Sequence, residues 1–208
     1  MKNDARALRE AQIADAAHEV LAEKGYRGLS MLAVAKRARA SNETLYRWYG
    51  DKTGLFRALI ARNGSALTEA LDDVLAPDAP LDNALDRVGT VLLDILLSDG
   101  SLALNRAAAA DATGVLGPVL GEAEHAAVMP RIEALFERLL ERTTLEVPAS
   151  AAAALWFDLL VGDLQIRCAT GATEAPGSDE RAARVARAGG LLSAMENCKD
   201  CAAVLSRS

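Results

Sequence analysis

Between Ser30 and Lys52 the 208-residue chain reads SMLAVAKRARASNETLYRWYGDK, and only three residues there separate two segments that each have a helical apolar face. Ser30 is a good N-cap, and Leu32, Val34, Ala35 and Ala38 follow at spacings that give one apolar side. A first short helix is predicted to run to about Ala38. Arg39-Ala40-Ser41 is too short for anything but a turn. Ser41 can cap a second helix whose Leu45 and Trp48 point inward. That is the spacing of a helix-turn-helix unit, and few other architectures accommodate it.

The second of these helices carries Asn42, Thr44, Tyr46, Arg47 and Tyr49. Short polar groups, phenols and a cation reach base edges and phosphate oxygens. Glu43 either accepts from a cytosine amino group or turns out of the groove, and Trp48 is either core or contact. Arg47 and Arg37 have an equal alternative as solvated surface charges. Lys52 opens a further helix, Thr53 to about Leu75. There its ammonium and the exposed backbone N–H groups could hold one phosphate together.

Charge is distributed accordingly. The net charge of −6 argues against nucleic acid when taken alone. Residues 1–62, however, hold twelve Lys and Arg against seven Asp and Glu, which leaves eleven against twenty-two for the remainder. A basic head on an acidic body fits a protein that meets DNA at one end.

The motif resembles the TetR family of bacterial transcriptional regulators over roughly the first quarter of the chain. The resemblance rests on Gly25-Tyr26, Ser30, Val34-Ala35, Ser41, Thr44-Leu45-Tyr46-Arg47-Trp48-Tyr49 and Lys52-Thr53-Gly54-Leu55-Phe56. It departs at the turn, where the family has Gly-Val before Ser and this chain has Arg39-Ala40. A non-glycine residue at positive φ costs on the order of 1 kcal/mol. Arg39 is therefore either strained or tolerated because its guanidinium gains a phosphate contact. By this reading Ser30, Arg39, Ser41, Asn42, Glu43, Thr44, Tyr46, Arg47, Tyr49 and Lys52 are the candidate DNA-binding residues.

The rest of the chain is predicted to be all-α: Ala is abundant, β-branched residues are sparse, and 3.6-residue periodicity recurs. Residues 1–57 form the expected helix-turn-helix domain, and residues 58–208 a larger helical effector-binding and dimerisation domain. The first helix spans about Ala5 to Lys24, with Ile13, Ala17, Val20 and Leu21 as its apolar face, and Gly25 ends it. Leu81 to Ser98 and Ser101 to Thr113 are helices separated by an Asp99-Gly100 turn. A helix from Pro118 to Arg142 is kinked or divided near Met129 by Pro130. Pro148 to Ala169 is one Ala-rich helix, and Ser178 caps the last long one, for about nine helices in all. No apolar run reaches the roughly 18 to 20 residues that cross a bilayer, and no secretory signal is visible, so the cytoplasm is the expected compartment and no membrane partner is expected.

Small residues, Ala151 to Ala154 with Gly162 and Ala182, Ala183, Ala186, Gly189 and Gly190, sit where two late helices would pack closely. The resemblance implies that these helices join a second subunit in a four-helix interface, giving a homodimer on a double-stranded, near-palindromic operator. It also implies a small-molecule effector in a mostly apolar pocket of the larger domain. The candidates are Asn105, Met129, Phe136, Trp156 and Asp158, although ordinary core is the stronger reading for the apolar ones. Asp158, if buried, needs a cationic or hydrogen-bonding partner.

Enzyme chemistry finds little support. Glu122-x-x-His125 has the spacing of a carboxylate-bridged di-iron helix, but the chain has two His in all and lacks a matching second copy. No nucleophile elbow or phosphate loop appears. No catalytic residue, metal or cofactor is therefore expected. Cys198-x-x-Cys201 with Cys168 could form a thiol switch, against a simpler reading as reduced thiols in a tail. The resemblance thus implies a dimeric, ligand-responsive repressor. The competing reading is a helical ligand-binding or metal-dependent bundle with no DNA role.

Overall fold

A computed structural model describes residues 2–196, with side chains for all but 2–4, 123–125, 127, 192–193 and 196. Cys198 and Cys201, and the side chain of His125, lie outside the described residues. The described residues form eleven helices and no strand. In order they are α1 (Lys2–Gly28), α2 (Met31–Arg37), α3 (Asn42–Tyr49), α4 (Lys52–Leu75), α5 (Ala84–Leu96), α6 (Asp99–Ala109), α7 (Leu116–Leu140), α8 (Ala149–Leu160), α9 (Leu164–Thr170), α10 (Ser178–Gly189) and α11 (Leu191–Glu196). None of them is by itself long and apolar enough to cross a bilayer. Packing groups the chain into two compact units, residues up to 63 together with 98–124, and residues 64–97 together with those from 125 onward.

The first unit is built on α1, which buries Ile13, Ala17, Val20 and Leu21, the apolar face its period predicts. Gly25, at φ 62°, breaks the helical path where the sequence put its end, and the turn beyond it leads to α2. Against α1 pack Val34 and Ala35 of α2, Leu45 of α3, Leu55, Phe56 and Leu59 of α4, Leu104 of α6 and Leu116 of α7. Leu32, expected on the apolar side of α2, is exposed, and Met31 is buried in its place. The first turn of α2 is therefore rotated from the simple periodic reading.

In the second unit α5 buries Leu85, Val88, Leu92, Leu93 and Leu96. Gly89 on this helix would place a Cβ 3.4 Å from both the Trp156 ring and Val185, so the absent side chain lets α8 and α10 close on α5. Trp156 is fully buried, with the Phe136 ring centroid 6.0 Å away.

Four expectations change. Asp99 and Gly100 are not a turn but the first residues of α6, because Ser98 caps that helix by accepting from the Ser101 N–H at 3.2 Å. Of the two outcomes expected at Pro130, a kink or a division, division does not occur: α7 is one helix through the proline. The Ala-rich helix is two helices, interrupted at Gly162 with φ 49°. Arg184 stabilises that break by donating to the Leu160 and Val161 carbonyls at 3.3 and 3.5 Å, groups a helix end leaves unpaired. Last, the N-cap of α10 is Gly177 rather than Ser178, although Asp179 and Glu180 occupy the first turn as expected.

His18 of α1 lies against Gly100 at the start of α6, its Nε2 buried without a hydrogen-bond partner. Burial lowers its pKa below 6.5; Asp15 opposes the shift and Arg62 adds to it. A base whose folded pKa is depressed binds its proton more readily in the unfolded chain. Its contribution is whole above pH 6.5 and is lost as pH falls toward the folded pKa. Denaturant midpoints at pH 7.5 and 5.5 are expected to differ less for His18→Gln than for the unsubstituted chain, and equal differences would refute the assignment.

Candidate nucleic-acid interface

α3 has eight residues, too few to hold a helix in water without help. Two devices supply it. Ser41 Oγ accepts from the Thr44 N–H at 3.0 Å and shares a proton with Thr44 Oγ1 at 2.8 Å, and Leu45 is fully buried under the helix. Burying one leucine contributes about 2 kcal/mol. α2 is begun the same way, Ser30 Oγ accepting from the Ala33 N–H at 3.1 Å. Ser30 and Ser41 thus serve as helix caps.

With Leu45 inward, the opposite side of α3 faces solvent: Asn42, Glu43, Tyr46 and Arg47 are exposed, Tyr46 at 52 %. Thr44, Trp48 and Tyr49 are half-buried. Trp48, half-buried, packs edge-on against Tyr49 at 6.4 Å while Arg6 of α1 lies over its ring at 5.4 Å. Burial raises the Tyr49 phenol's pKa, and the carboxylate of Glu10 adds to that, so it is a neutral hydrogen-bonding group.

The turn between α2 and α3 has the left-handed residue its sequence demands. Arg39 has φ 51°. The Ala40 N–H donates to the Ala35 carbonyl at 2.9 Å and the Arg39 N–H to that of Lys36 at 3.3 Å, the bond pair that closes a helix with a left-handed residue, usually glycine. The carbonyl of Arg39 accepts from Arg9 Nη2 at 2.6 Å.

Arg37, for which a surface charge is one of two readings, is exposed and is clasped to α1 by Glu19 at 2.8 Å and Glu23 at 2.6 Å. These bonds raise the Arg37 pKa further and lower that of the Glu23 carboxyl. Lys52 is the larger surprise. Its ammonium donates to the Tyr26 carbonyl and sits 3.6 Å from the centroid of the Tyr26 ring. Burial lowers its pKa, partly offset by the Asp111 carboxylate. The backbone N–H of Gly54, expected to be open to a phosphate, donates to Asp51 Oδ1 at 2.7 Å. One donor in each half of the expected phosphate cradle therefore has an internal partner, because an aspartate precedes Lys52 and caps α4 itself.

Gly54 is also a point of closest approach. A Cβ there would stand 1.9 Å from the Tyr49 carbonyl oxygen, so no side chain fits while α4 starts this close to the end of α3.

Sequence reasoning missed the role of Asp111, whose carboxylate accepts from the N–H groups of Thr113, Val115 and Leu116 and caps α7. The Asp-x-Thr-Gly run at 111–114 was its available signal.

The effector candidates separate. Asn105 lies in the first unit, its amide donating to the Ser101 carbonyl of its own helix at 3.1 Å. In the second unit Phe136 and Trp156 touch, Met129 is half-buried, and Asp158 is exposed. The buried, partner-seeking acid imagined for position 158 does not exist: α8 turns Trp156 inward, and Asp158, two residues on, falls on another side of the helix. Trp156 Nε1 is buried without an acceptor. Cys168 is buried, its thiol donating to the Glu174 carbonyl at 3.7 Å. Among the described residues no cluster of three His, Cys, Asp or Glu could hold a metal ion.

Removing the α3 cap tests this local account. Ser41→Ala is expected to cost about 1 kcal/mol of stability, read from denaturant midpoints. Ser41→Asp, which keeps an acceptor, should cost less, and equal losses would show the cap to be idle.

Comparison with known proteins gives two family matches. Residues 13–59 match the model described as bacterial regulatory proteins, tetR family, and residues 83–191 match that of the AefR-like transcriptional repressor C-terminal domain. Among curated proteins, an HTH-type transcriptional regulator of Bacillus subtilis (strain 168) is 33% identical over 85 residues, covering 41% of this chain and 43% of its own. An HTH-type transcriptional repressor of Mycobacterium tuberculosis (strain ATCC 25618 / H37Rv) is 34% identical over 87 residues, 42% of this chain and 46% of its own. The chain thus matches less than half the length of these relatives. Of solved structures, a TetR transcriptional regulator from Agrobacterium tumefaciens aligns over 90% of this chain and 93% of its own, with 29% identity and a TM-score of 0.64. A TetR-family structure from Mesorhizobium loti MAFF303099, at 23% identity, a TM-score of 0.69 and coverage of 90% and 96%, shares the fold.

Proposed function

The chain belongs to the tetR family of bacterial regulatory proteins, and from that premise we propose that it is a cytoplasmic, homodimeric transcriptional repressor that reads a near-palindromic operator with α3. The observation that carries the reading is the division of α3 into a face anchored by fully buried Leu45 and a face of exposed Asn42, Glu43, Tyr46 and Arg47. A helix so anchored presents a fixed row of donors and acceptors to a major groove. Arg39, whose guanidinium has no partner among the described residues, is the phosphate contact at the turn. Lys52 braces Tyr26 and, with ammonium donors beyond the one given to the Tyr26 carbonyl, stays among the proposed phosphate contacts.

We take residues 1–57 as the DNA-binding domain and 58–208 as the effector and dimerisation domain. For the dimer, the small residues divide by exposure. Ala152 and Ala153 are buried within the unit, whereas Ala154, Ala182, Ala183 and Ala186 face outward, with Leu159 47 % exposed on α8. That outward set is the proposed four-helix contact with a second copy. For the effector, Phe136 and Trp156 form an apolar corner whose indole N–H lacks an acceptor. A small, mostly apolar molecule carrying one oxygen at that corner would satisfy it. Such a molecule releases the operator by binding more tightly the state whose two heads no longer fit it.

The decisive measurement is a salt series of mobility shifts on DNA from immediately upstream of the chain's own gene. Binding should weaken steeply with salt. Tyr46→Ala should bind about tenfold more weakly, and Arg47→Ala should lower the salt slope by about one if it meets a phosphate. Absence of binding at every salt concentration would favour the competing reading, a helical ligand-binding bundle with no DNA role.

A further inference from the structure

Arg9 and Arg39 are both cations of the basic head, yet they are placed differently. Arg9, on α1, donates to Gln12 Oε1 at 2.8 Å and to the Arg39 carbonyl at 2.6 Å, a bond spanning thirty residues of sequence. Arg39 is the residue at φ 51° in the turn. Ala38 and Ala40 on either side of it pack into the core, but between α1 and the turn lies an open cleft of about 360 Å³ lined by Arg9, Asp15, Glu19, Arg37 and Arg39 among others. Across this cleft the turn is tied to α1 by two cations, Arg37 through Glu19 and Glu23, and Arg9 through the Arg39 carbonyl.

We propose that Arg9 is a positioning residue for DNA reading: its hydrogen bond to the Arg39 carbonyl holds the left-handed turn, and so fixes where α3 begins and where the Arg39 guanidinium stands. The inference rests on the reading of α3 as the recognition helix. It explains why an arginine is tolerated where a glycine would be unstrained. The charge-assisted bond from Arg9 offsets the strained backbone, and the retained side chain keeps a cation beside the first residues of α3. Arg9 itself need not touch DNA for this role, since the two donors that matter are given to Gln12 and the Arg39 carbonyl.

A double-mutant cycle tests this on the full chain with upstream DNA as the probe, reading affinity, salt slope and thermal midpoint together. Arg9→Ala is expected to weaken binding about tenfold, with the salt slope unchanged and the midpoint lowered by about 2 to 4 °C. Arg9→Lys, which keeps one charged donor, should recover most of the loss. In Arg39→Gly the salt slope should fall by about one, and because glycine holds the left-handed turn unaided, adding Arg9→Ala to it should cost little more. Strictly additive losses would overturn the proposal, as would full affinity in Arg9→Ala. A fall in salt slope in Arg9→Ala would make Arg9 a phosphate ligand instead and would also overturn it. If the unsubstituted chain binds no DNA, the recognition-helix reading fails and this inference with it. Binding that Tyr46→Ala weakens and Arg9→Ala does not would sink the inference alone.

Discussion

The anchoring of α3 by Leu45 is the interaction on which the rest of the first unit depends. Isolated helices below about 12 to 15 residues are marginal in water, and α3, at eight residues, is well short of that. It is a helix because Leu45 is buried among residues of the helices around it and because Ser41 satisfies one of its orphan N–H groups. Removing the cap weakens the helix by about 1 kcal/mol, and removing the buried leucine takes away the anchor that orients its polar face. α1 is the platform for this arrangement, supplying both the apolar surface under α2 and α3 and, through Arg9, Glu19 and Glu23, the polar ties at their junction.

Those ties alter the meaning of the basic head. Charge counting treats every cation in residues 1–62 alike. In the folded unit Arg37 is clasped by two carboxylates, Arg9 is turned to a carbonyl, Arg6 pairs with Glu10 at 2.9 Å, and Lys52 is committed to Tyr26. Arg39 and Arg47, on the turn and α3, stay exposed, as do Lys24, Arg27, Lys36 and Arg57 elsewhere in the head. The long-range field reflects net charge, while short-range recognition depends on which of these cations stand beside α3.

What could be read beforehand, and what could not, follows from the range of the interactions involved. The caps at Ser30 and Ser41 and the stop at Gly25 were legible because each is decided within four residues, whereas the left-handed Arg39 was legible only through the resemblance, from the glycine expected in its place. The break at Gly162 was not, since glycine within an Ala-rich run permits a helix as well as a turn, and the deciding bonds come from Arg184, more than twenty residues on. Asp99-Gly100 looks like a turn until the Ser98 cap is recognised. The true partners of Lys52 and Arg37 lie in α1 and could not be inferred from their own helices. Asp158 was misjudged because its neighbours are apolar; adjacency in sequence is not adjacency on a helix face.

Gly54 carries one further consequence. The contact there is backbone against backbone, with the Tyr49 carbonyl occupying the space a side chain would fill. Most helix pairs meet through side chains that can change rotamer and absorb a small rotation. Here nothing can swing aside, so the angle at which α4 leaves the end of α3 is set by main-chain atoms and not by the choice of a rotamer.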